Sequence, residues 1–510
     1  SALETLRGMV AQKTQLPLSA IKAEHRFLGD LHLNSITISQ IILETSGRLK
    51  IPAPVAPAEF TNATLAETAR ALEQRRSPAS AEPAHKHPTG VDSWIRVLGV
   101  KLLEKPLRAK PSRSTGKWEF MGNAEHSLGE RLREQFKSVA GEGMVCCVPV
   151  ERNLNTASFL VQSAQAALKQ GIQQIVFVQH ASGVGALART LFLENPKLRV
   201  AVVNVPMGHP ASAGWVAGEA AANHGFVEAH YDNDGVRYEP RLELMWPQST
   251  ANSNGLNAAD VLLVTGGGKG IAAESAFHLA RVCGCRLALL GRSDPATDVE
   301  LAGNLGRFTQ AGVAFRYFPA DITNGDSVQR AFQSLQAEFG PITAVLHGAG
   351  NNHPKRLEEI TTADLDQVLA PKLAGLLNLL DYVQPDKLRL LLTFGSIIAR
   401  TGLHGEAHYG LANEWLNLEL EQWRQAHPQC RCLNLEWSVW GGIGMGQRLG
   451  VLDSLVRQGI TPLPLDDAIE QLKAMIAWKE APAAAIITGR FGNLPTLKFE
   501  QPALPLLRFL

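Results

Sequence analysis

Apolar residues recur at helical spacing through the first 76 positions. ALETLRGMV carries them on one face, and ITISQIILETSGRL aligns Ile38, Ile41, Ile42, Thr45 and Leu49 roughly on another. Thr64-Leu-Ala-Glu67 has the form of a capping box, which predicts a helix starting there and running through LAETARALEQ. Residues 1–76 therefore read as a small helical unit. The stretch SPASAEPAHKHPTG, residues 77–90, has no periodicity and reads as a linker, with His85 and His87 in solvent.

Beyond the linker the pattern changes to short apolar runs alternating with amphipathic ones. GMVCCVPV, QQIVFVQH and LRVAVVNVP predict strands, while SFLVQSAQAALKQ and GALARTLFL predict helices. That alternation implies a parallel-sheet α/β unit over 91–255, closed by the polar break QSTANSNGLNAA. From 256 to 500 the alternation is stronger. Strands are expected at DVLLVTG, RLALLGRS, VAFRYFPAD, TAVLHGAG, LRLLLTFGS, CRCLNLEW and AAIITGR. Seven strands with intervening helices suit a doubly wound parallel sheet. PALPLLRFL at 501–510 reads as the start of a connection to a further domain.

Composition narrows the function classes. The chain has 510 residues, enough for about three compact units. It carries 49 Lys and Arg against 48 Asp and Glu, a balance that favours neither a nucleic acid nor a membrane surface as partner. No apolar run approaches the ~18 residues of a spanning helix. The opening SALETLRGMVAQKTQ shows neither the apolar core nor the cleavage pattern of a signal peptide, and cysteines read as reduced thiols suit a cytoplasmic location. The cysteines fall as Cys146-Cys147, Cys283-x-Cys285 and Cys430-x-Cys432. Without C-x-x-C spacing they read as small buried thiols on or beside strands rather than metal ligands.

The densest chemistry begins at Val261-Leu-Leu-Val-Thr-Gly-Gly-Gly-Lys-Gly-Ile-Ala272, where an apolar strand runs into a glycine turn and then a helix. Such a loop lets backbone N–H groups approach a pyrophosphate at a helix N-terminus; it also serves as a plain tight turn. The next strand ends in Arg292 and Ser293, where an NAD site would place an acid. Those side chains suit a 2′-phosphate, hence NADPH. Asp321, ending YFPAD, is placed either to receive the adenine amine or to cap the segment after it. Ser396 ends the strand LLLTFGS, and Tyr409 and Asn413, four apart, share a helix face.

With these residues the stretch 260–500 resembles the short-chain dehydrogenase/reductase family. Asn413, standing where most members have lysine, resembles the ketoreductase domains of polyketide synthases, in which an earlier lysine takes over. Lys372 in LAPKLAGLLNLL matches that position. The resemblance implies that Tyr409 donates a proton to the reduced ketone and that Lys372 lowers its pKa. Ser396 would bond the ketone oxygen, and Asn413 would position water or Lys372. It places the cofactor against Thr265, Gly266, Gly268, Lys269, Gly270 and Ile271, then Arg292, Ser293, Asp321 and Ile322, and finally His347, Gly348, Ala349 and Gly350. Leu357-Glu358-Glu359 stands where the family carries a stereochemistry-associated Leu-Asp-Asp, and no tryptophan precedes Tyr409 in TGLHGEAHY. The resemblance thus implies a (3R)-hydroxy product. A lid is expected at IGMGQRLGVLDSLVRQG. Residues 91–255 resemble the structural subdomain of these ketoreductases, so two Rossmann-like subdomains are expected, one structural and one catalytic. In the structural one, Gly183-Val-Gly185 lacks the full nucleotide-loop context.

Residues 1–76 resemble an acyl carrier domain, whose Asp-Leu-Gly-x-Asp-Ser-Leu signature stands here as Asp30-Leu-His-Leu-Asn-Ser-Ile36. The resemblance makes Ser35 the attachment point of 4′-phosphopantetheine; as a residue it is also a sound helix N-cap. Nine Lys/Arg against seven Asp/Glu give this unit a net charge of +2 (9 − 7), so docking by tether rather than by charge is expected. The whole implies NADPH-dependent reduction of a carrier-bound 3-oxoacyl thioester. Its implied partners are polyketide intermediates, a phosphopantetheinyl transferase and other synthase domains. Two alternatives stay open: a decayed reductase serving as scaffold, and epimerisation without net reduction.

Overall fold

The computed structural model describes residues 2–14, 16–31, 33, 35–49, 60, 63–74, 94–107, 115–122, 128–247, 255–492 and 494–500. The expected linker 77–90 and the tail 501–510 lie outside them. The chain forms two compact units, Ser1–Ser93 and Trp94–Leu510.

The first unit is helical, with α-helices Ala2–Thr14, Ser35–Leu49 and Leu65–Gln74. The apolar stripe of the middle helix faces inward as its spacing requires: Ile38, Ile41 and Ile42 are fully buried against Leu6, Met9, Val10 and Leu72. The capping box is formed. Thr64 N–H donates to Glu67 Oε2 at 2.8 Å, and Glu67 N–H donates to Thr64 Oγ1 at 3.1 Å.

The second unit is built on one sheet. Its strands are β1 (Arg96–Glu104), β2 (Gly116–Met121), β3 (Gly141–Cys147), β4 (Gln174–Gln179), β5 (Arg199–Asn204), β6 (Phe226–Tyr231) and β7 (Arg237–Met245). Next come β8 (Val261–Thr265), β9 (Arg286–Gly291), β10 (Phe315–Pro319), β11 (Ala344–His347), β12 (Leu390–Ser396), β13 (Arg431–Trp437), β14 (Ala484–Thr488) and β15 (Lys498–Phe499). The order is β10-β9-β8-β11-β12-β13-β14-β1-β7-β6-β5-β4-β3-β2, with β15 beside β7. Strands β8 to β14 are the seven expected. They pair in parallel in the doubly wound order, with the reversal between β8 and β11. The apolar runs of β8, β9 and β11 to β14 suit burial on both faces, while β10, at the sheet edge, is half-exposed.

The amino-terminal half is parallel from β2 to β6. Its purely parallel expectation needs one correction. β1 and β7 pair antiparallel with each other, β7 with β6, and β1 with β14, so the two halves share a continuous sheet. These strands mix apolar and polar residues and carry exposed Val100, Leu102 and Leu244, a pattern unlike the buried runs elsewhere. All six cysteines are free thiols, and every one except Cys283 is buried. Among the described residues no helix is long and apolar enough to cross a membrane.

Candidate active site

The glycine loop lies at the carboxyl end of β8, beside the switch point. Gly266 and Gly270 have φ of +65° and +59°, conformations that a β-carbon would strain. The helix Gly270–Cys283 begins there. Its third fingerprint position is Ala272 rather than glycine, and the lost space is recovered across the contact. A β-carbon on Gly348 would lie 2.7 Å from the Ala272 β-carbon, so Gly348 is the residue that must stay bare.

A cavity of roughly 400 Å³ opens above the loop. It is lined by Gly266, Gly268, Lys269, Gly270 and Ile271 from the loop, Arg292 and Ser293 after β9, and Asp321 and Ile322 after β10. Gly348, Ala349 and Gly350 complete that side, and Lys372 and Tyr409 stand at the far end. Two residues expected to bind cofactor, Thr265 and His347, are not on the wall. Thr265 Oγ1 and His347 Nδ1 are 2.9 Å apart, Ala349 N–H donates to Thr265 Oγ1, and His347 Nε2 meets the Lys372 carbonyl at 3.0 Å. Both are buried brackets tying β8 and β11 to the Lys372 helix. Burial, reinforced by the Lys372 charge, holds His347 down to about 3, so it stays neutral.

Lys269 Nζ donates to Ser293 Oγ at 2.8 Å and to Asp298 Oδ2 at 2.6 Å. Arg292 is exposed beside them. Asp321 caps the segment after it and also reaches the cavity wall: its Oδ1 accepts from Thr323 N–H and hydroxyl at 3.0 and 2.8 Å. Glu300 was not foreseen: its carboxylate accepts from the Gly270 N–H at 3.1 Å and faces Arg448 at 3.7 Å. An anion therefore already sits where a helix N-terminus attracts a phosphate. The cradle fits a dinucleotide.

Helix Thr362–Leu380, capped by a Thr361–Asp364 box, carries Lys372 into the interior directly after Pro371. Lys372 is 3% exposed, and its ammonium donates to the Phe394 carbonyl at 3.0 Å. Its Nζ lies 5.8 Å from the centre of the Tyr409 ring. Burial lowers Lys372 to about 8. Ser396 closes β12, and Tyr409 opens helix Ala407–Ala426. Burial and then the Glu406 charge push the Tyr409 phenol above its ordinary value, opposed by hydrogen bonding from Asn413 and Ser396. The phenol is thus a protonated acid with the amine close by. Asn413 Nδ2 donates to the Tyr409 carbonyl at 2.7 Å, and its buried Oδ1 has no partner.

Tyr409 also lines a second cavity, of about 710 Å³, with mostly apolar walls. Ser396 and Tyr409 face it from one side. Ile443, Met445, Leu449, Val451 and Leu455 close it from the expected lid, which contains the short helices Met445–Arg448 and Leu452–Arg457. Glu406 and Asn352 on its wall were missed by sequence reasoning, as were Tyr317 and Arg448 on the first cavity. Leu357-Glu358-Glu359 forms a 3-10 turn away from this wall, with Leu357 buried and both glutamates exposed. At Gly183-Val-Gly185 the corresponding space is filled. Trp415 Nε1 donates to the Gly183 carbonyl at 2.6 Å, and Glu414 Oε2 accepts from Ala186 N–H at 2.8 Å.

In the first unit Ser35 opens its helix, preceded by buried Leu33. His32 and Asn34 lie outside the described residues.

A doubly wound sheet with a phenol and an amine at its switch point defines a short-chain dehydrogenase/reductase type of domain. Comparison with known proteins carries this further. Residues 261–442 match the family described as KR domain, and residues 4–72 match the family described as phosphopantetheine attachment site. Polyketide synthase PksL of Bacillus subtilis is 25% identical over 484 residues, covering 89% of this chain and 10% of that protein. Erythronolide synthase EryA3 of Saccharopolyspora erythraea is 30% identical over 366 residues, 68% of this chain and 11% of that one. The chain thus spans about a tenth of either synthase. Among solved structures, PlmKR1, the ketoreductase from the first module of phoslactomycin biosynthesis in Streptomyces sp. HK803, superposes with a TM-score of 0.67 at 20% identity. It covers 79% of this chain and 98% of that chain. An A1-type ketoreductase superposes with a TM-score of 0.65 at 20% identity, covering 78% and 93%. The chain is a phosphopantetheine-attachment domain followed by a ketoreductase domain, and its relatives are polyketide synthases.

Proposed function

We propose that this segment reduces a 3-oxoacyl thioester, held on Ser35 or on another carrier, to the 3-hydroxyacyl thioester, using NADPH. One observation carries the reading: Tyr409 stands on the wall of both the polar cleft and the apolar cavity, with Lys372 on one side and Ser396 on the other. NADPH, when bound, supplies hydride to the 3-oxo carbon. The glycine loop and the helix behind it hold the dinucleotide, and Lys269, Arg292 and Ser293 suit a 2′-phosphate. Ser396 holds the ketone oxygen as charge develops on it. Tyr409 gives that oxygen its proton. Lys372, already lowered by burial, stabilises the phenolate that results and resupplies the proton. Asn413 keeps the Tyr409 backbone in place through its carbonyl bond. The apolar cavity takes the acyl chain, and a (3R) product is the expected outcome.

The working limits of the domains are a carrier over 1–76, a structural subdomain over 91–255 and a catalytic one over 256–500. A pantetheinyl transferase modifies Ser35, and the other synthase domains exchange thioesters with it.

The test mixes the protein with NADPH and a 3-oxoacyl pantetheine thioester and follows cofactor absorbance. Tyr409→Phe should lose ~10²- to 10⁴-fold in kcat while keeping NADPH affinity. Absence of turnover in the parent points to a scaffold. Exchange of the α-deuterium without NADPH consumption points to epimerisation. For the carrier, intact mass after transferase treatment should rise by one phosphopantetheinyl group in the parent and stay unchanged in Ser35→Ala.

A further inference from the structure

In the polar cleft, the N-terminus of the helix after the glycine loop is already occupied. Glu300 Oε1 accepts from the Gly270 N–H at 3.1 Å, a bond of the kind a phosphate takes at such a turn. Glu300 belongs to the neighbouring helix Val299–Gln310, in whose first turn it stands. Its other oxygen, Oε2, faces Arg448 Nη1 at 3.7 Å. Arg448 ends the lid helix Met445–Arg448, and its guanidinium lies on the loop itself. A β-carbon on Gly270 would be 3.6 and 3.7 Å from its two terminal nitrogens. Gly270, Glu300 and Arg448 all line the cleft.

The neighbouring charges are engaged elsewhere. Lys269 is held by Ser293 and Asp298, Asp321 by Thr323, and Lys372 by the Phe394 carbonyl. A carboxylate and a guanidinium placed together on a phosphate-binding turn mimic the filled site: the acid stands for the phosphate and the arginine for its counter-charge. The pair is weak. Glu300 and Arg448 are 47% and 52% exposed, so water and salt screen them and separating them costs little. On leaving Gly270, Glu300 still has the N-terminus of its own helix beside it.

We propose that Arg448 is a pyrophosphate-binding residue contributed by the lid, and that Glu300 is a placeholder that keeps Arg448 over the glycine loop until the dinucleotide displaces it. The inference rests on the reading of the cleft as the dinucleotide site. Arg448 then serves the diphosphate bridge of the cofactor, while the 2′-phosphate stays with the residues after β9. Removing the arginine weakens the whole dinucleotide, and removing the placeholder's charge tightens it.

The experiment measures binding of two nucleotides to the whole chain by titration calorimetry. NADP⁺ carries both the pyrophosphate and the 2′-phosphate; 2′-AMP carries only the latter. Arg448→Gln should weaken NADP⁺ by roughly tenfold and leave 2′-AMP nearly unchanged. Glu300→Gln can still accept from the Gly270 N–H but has no charge. It should tighten NADP⁺ by roughly fivefold, again with 2′-AMP nearly unchanged. Retained 2′-AMP binding also shows that each variant keeps the fold of the cleft. No loss in Arg448→Gln, or an equal loss for both nucleotides, overturns the role of Arg448. Unchanged or weaker NADP⁺ binding in Glu300→Gln makes that residue a support of the loop and overturns the placeholder. Should the parent bind neither nucleotide, the dinucleotide reading of the cleft falls, and this inference with it.

Discussion

Lys372 shows what one buried charge does at the scale of a single residue. The expectation that it lowers the Tyr409 pKa meets a protein in which both groups are governed first by desolvation: the amine goes down to about 8 and the phenol goes up. Near neutral pH the pair is therefore a protonated phenol beside a buried ammonium, not a phenolate. The same shift has a cost in stability. The folded value lies below the ordinary 10.5, so between about 8 and 10.5 the unfolded chain binds more protons, and stability rises with pH. Below about 8 the full penalty is present. Lys372→Met removes it. Its effect on unfolding free energy should therefore be more favourable at pH 7 than at pH 10, by roughly 2–3 kcal/mol. Urea unfolding of parent and variant at both pH values checks this, and an effect independent of pH would show that the amine is not desolvated.

At the scale of the element, packing decides how far a motif can be varied. The helix after the glycine loop approaches β11 closely because Gly348 lacks a side chain opposite Ala272. Gly348→Ala should destabilise the protein by about 1–3 kcal/mol, and adding Ala272→Gly should recover part of it, read as thermal unfolding of the two variants. In the first unit, Thr64→Ala removes the cap of helix Leu65–Gln74 and should cost about 1 kcal/mol, seen as faster hydrogen exchange in that helix. These elements were legible because they rest on local rules. The capping box, the inward stripe of Ile38, Ile41 and Ile42, and the seven strands β8 to β14 all come from period and turn chemistry. β1, β2, β6 and β7 were not legible. Their half-exposed, mixed composition gives a weaker signal, and the pairing of β1 with β7 joins residues over a hundred positions apart. The site divides the same way. Tyr409, Ser396 and the loop glycines announce themselves by spacing. Glu406, Asn352, Tyr317 and Arg448 became visible only when the fold set them on a cavity wall. Thr265 and His347 carry the right motif positions but turn inward as brackets.

At the scale of the molecule, the two α/β halves are held by more than the β14–β1 pairing. Arg189 from helix Gly185–Glu194 pairs with Glu228 on β6, and Arg400 holds Glu436 on β13 through two bonds of 2.9 and 2.8 Å. Arg400 also acts electrostatically on Glu228 and Glu414, so the cluster spans both halves. Burial alone would raise Glu228, but Arg189 and then His230 bring it to about 2. Its folded value lies below the ordinary 4.5, so its stabilisation is complete above about pH 4.5 and is lost as pH falls towards 2. Glu436 is 1% exposed, and Arg400→Met would leave it buried without its counter-charge. The variant should lose about 3 kcal/mol or more. Because the cluster belongs to both halves, the calorimetric transition of residues 94–510 should move down as one peak, while that of residues 1–93 stays where it is. A peak that splits, with the amino-terminal half unmoved, would mean that the charges serve only the half they stand in and that the shared sheet and the common core do not make the halves one cooperative unit.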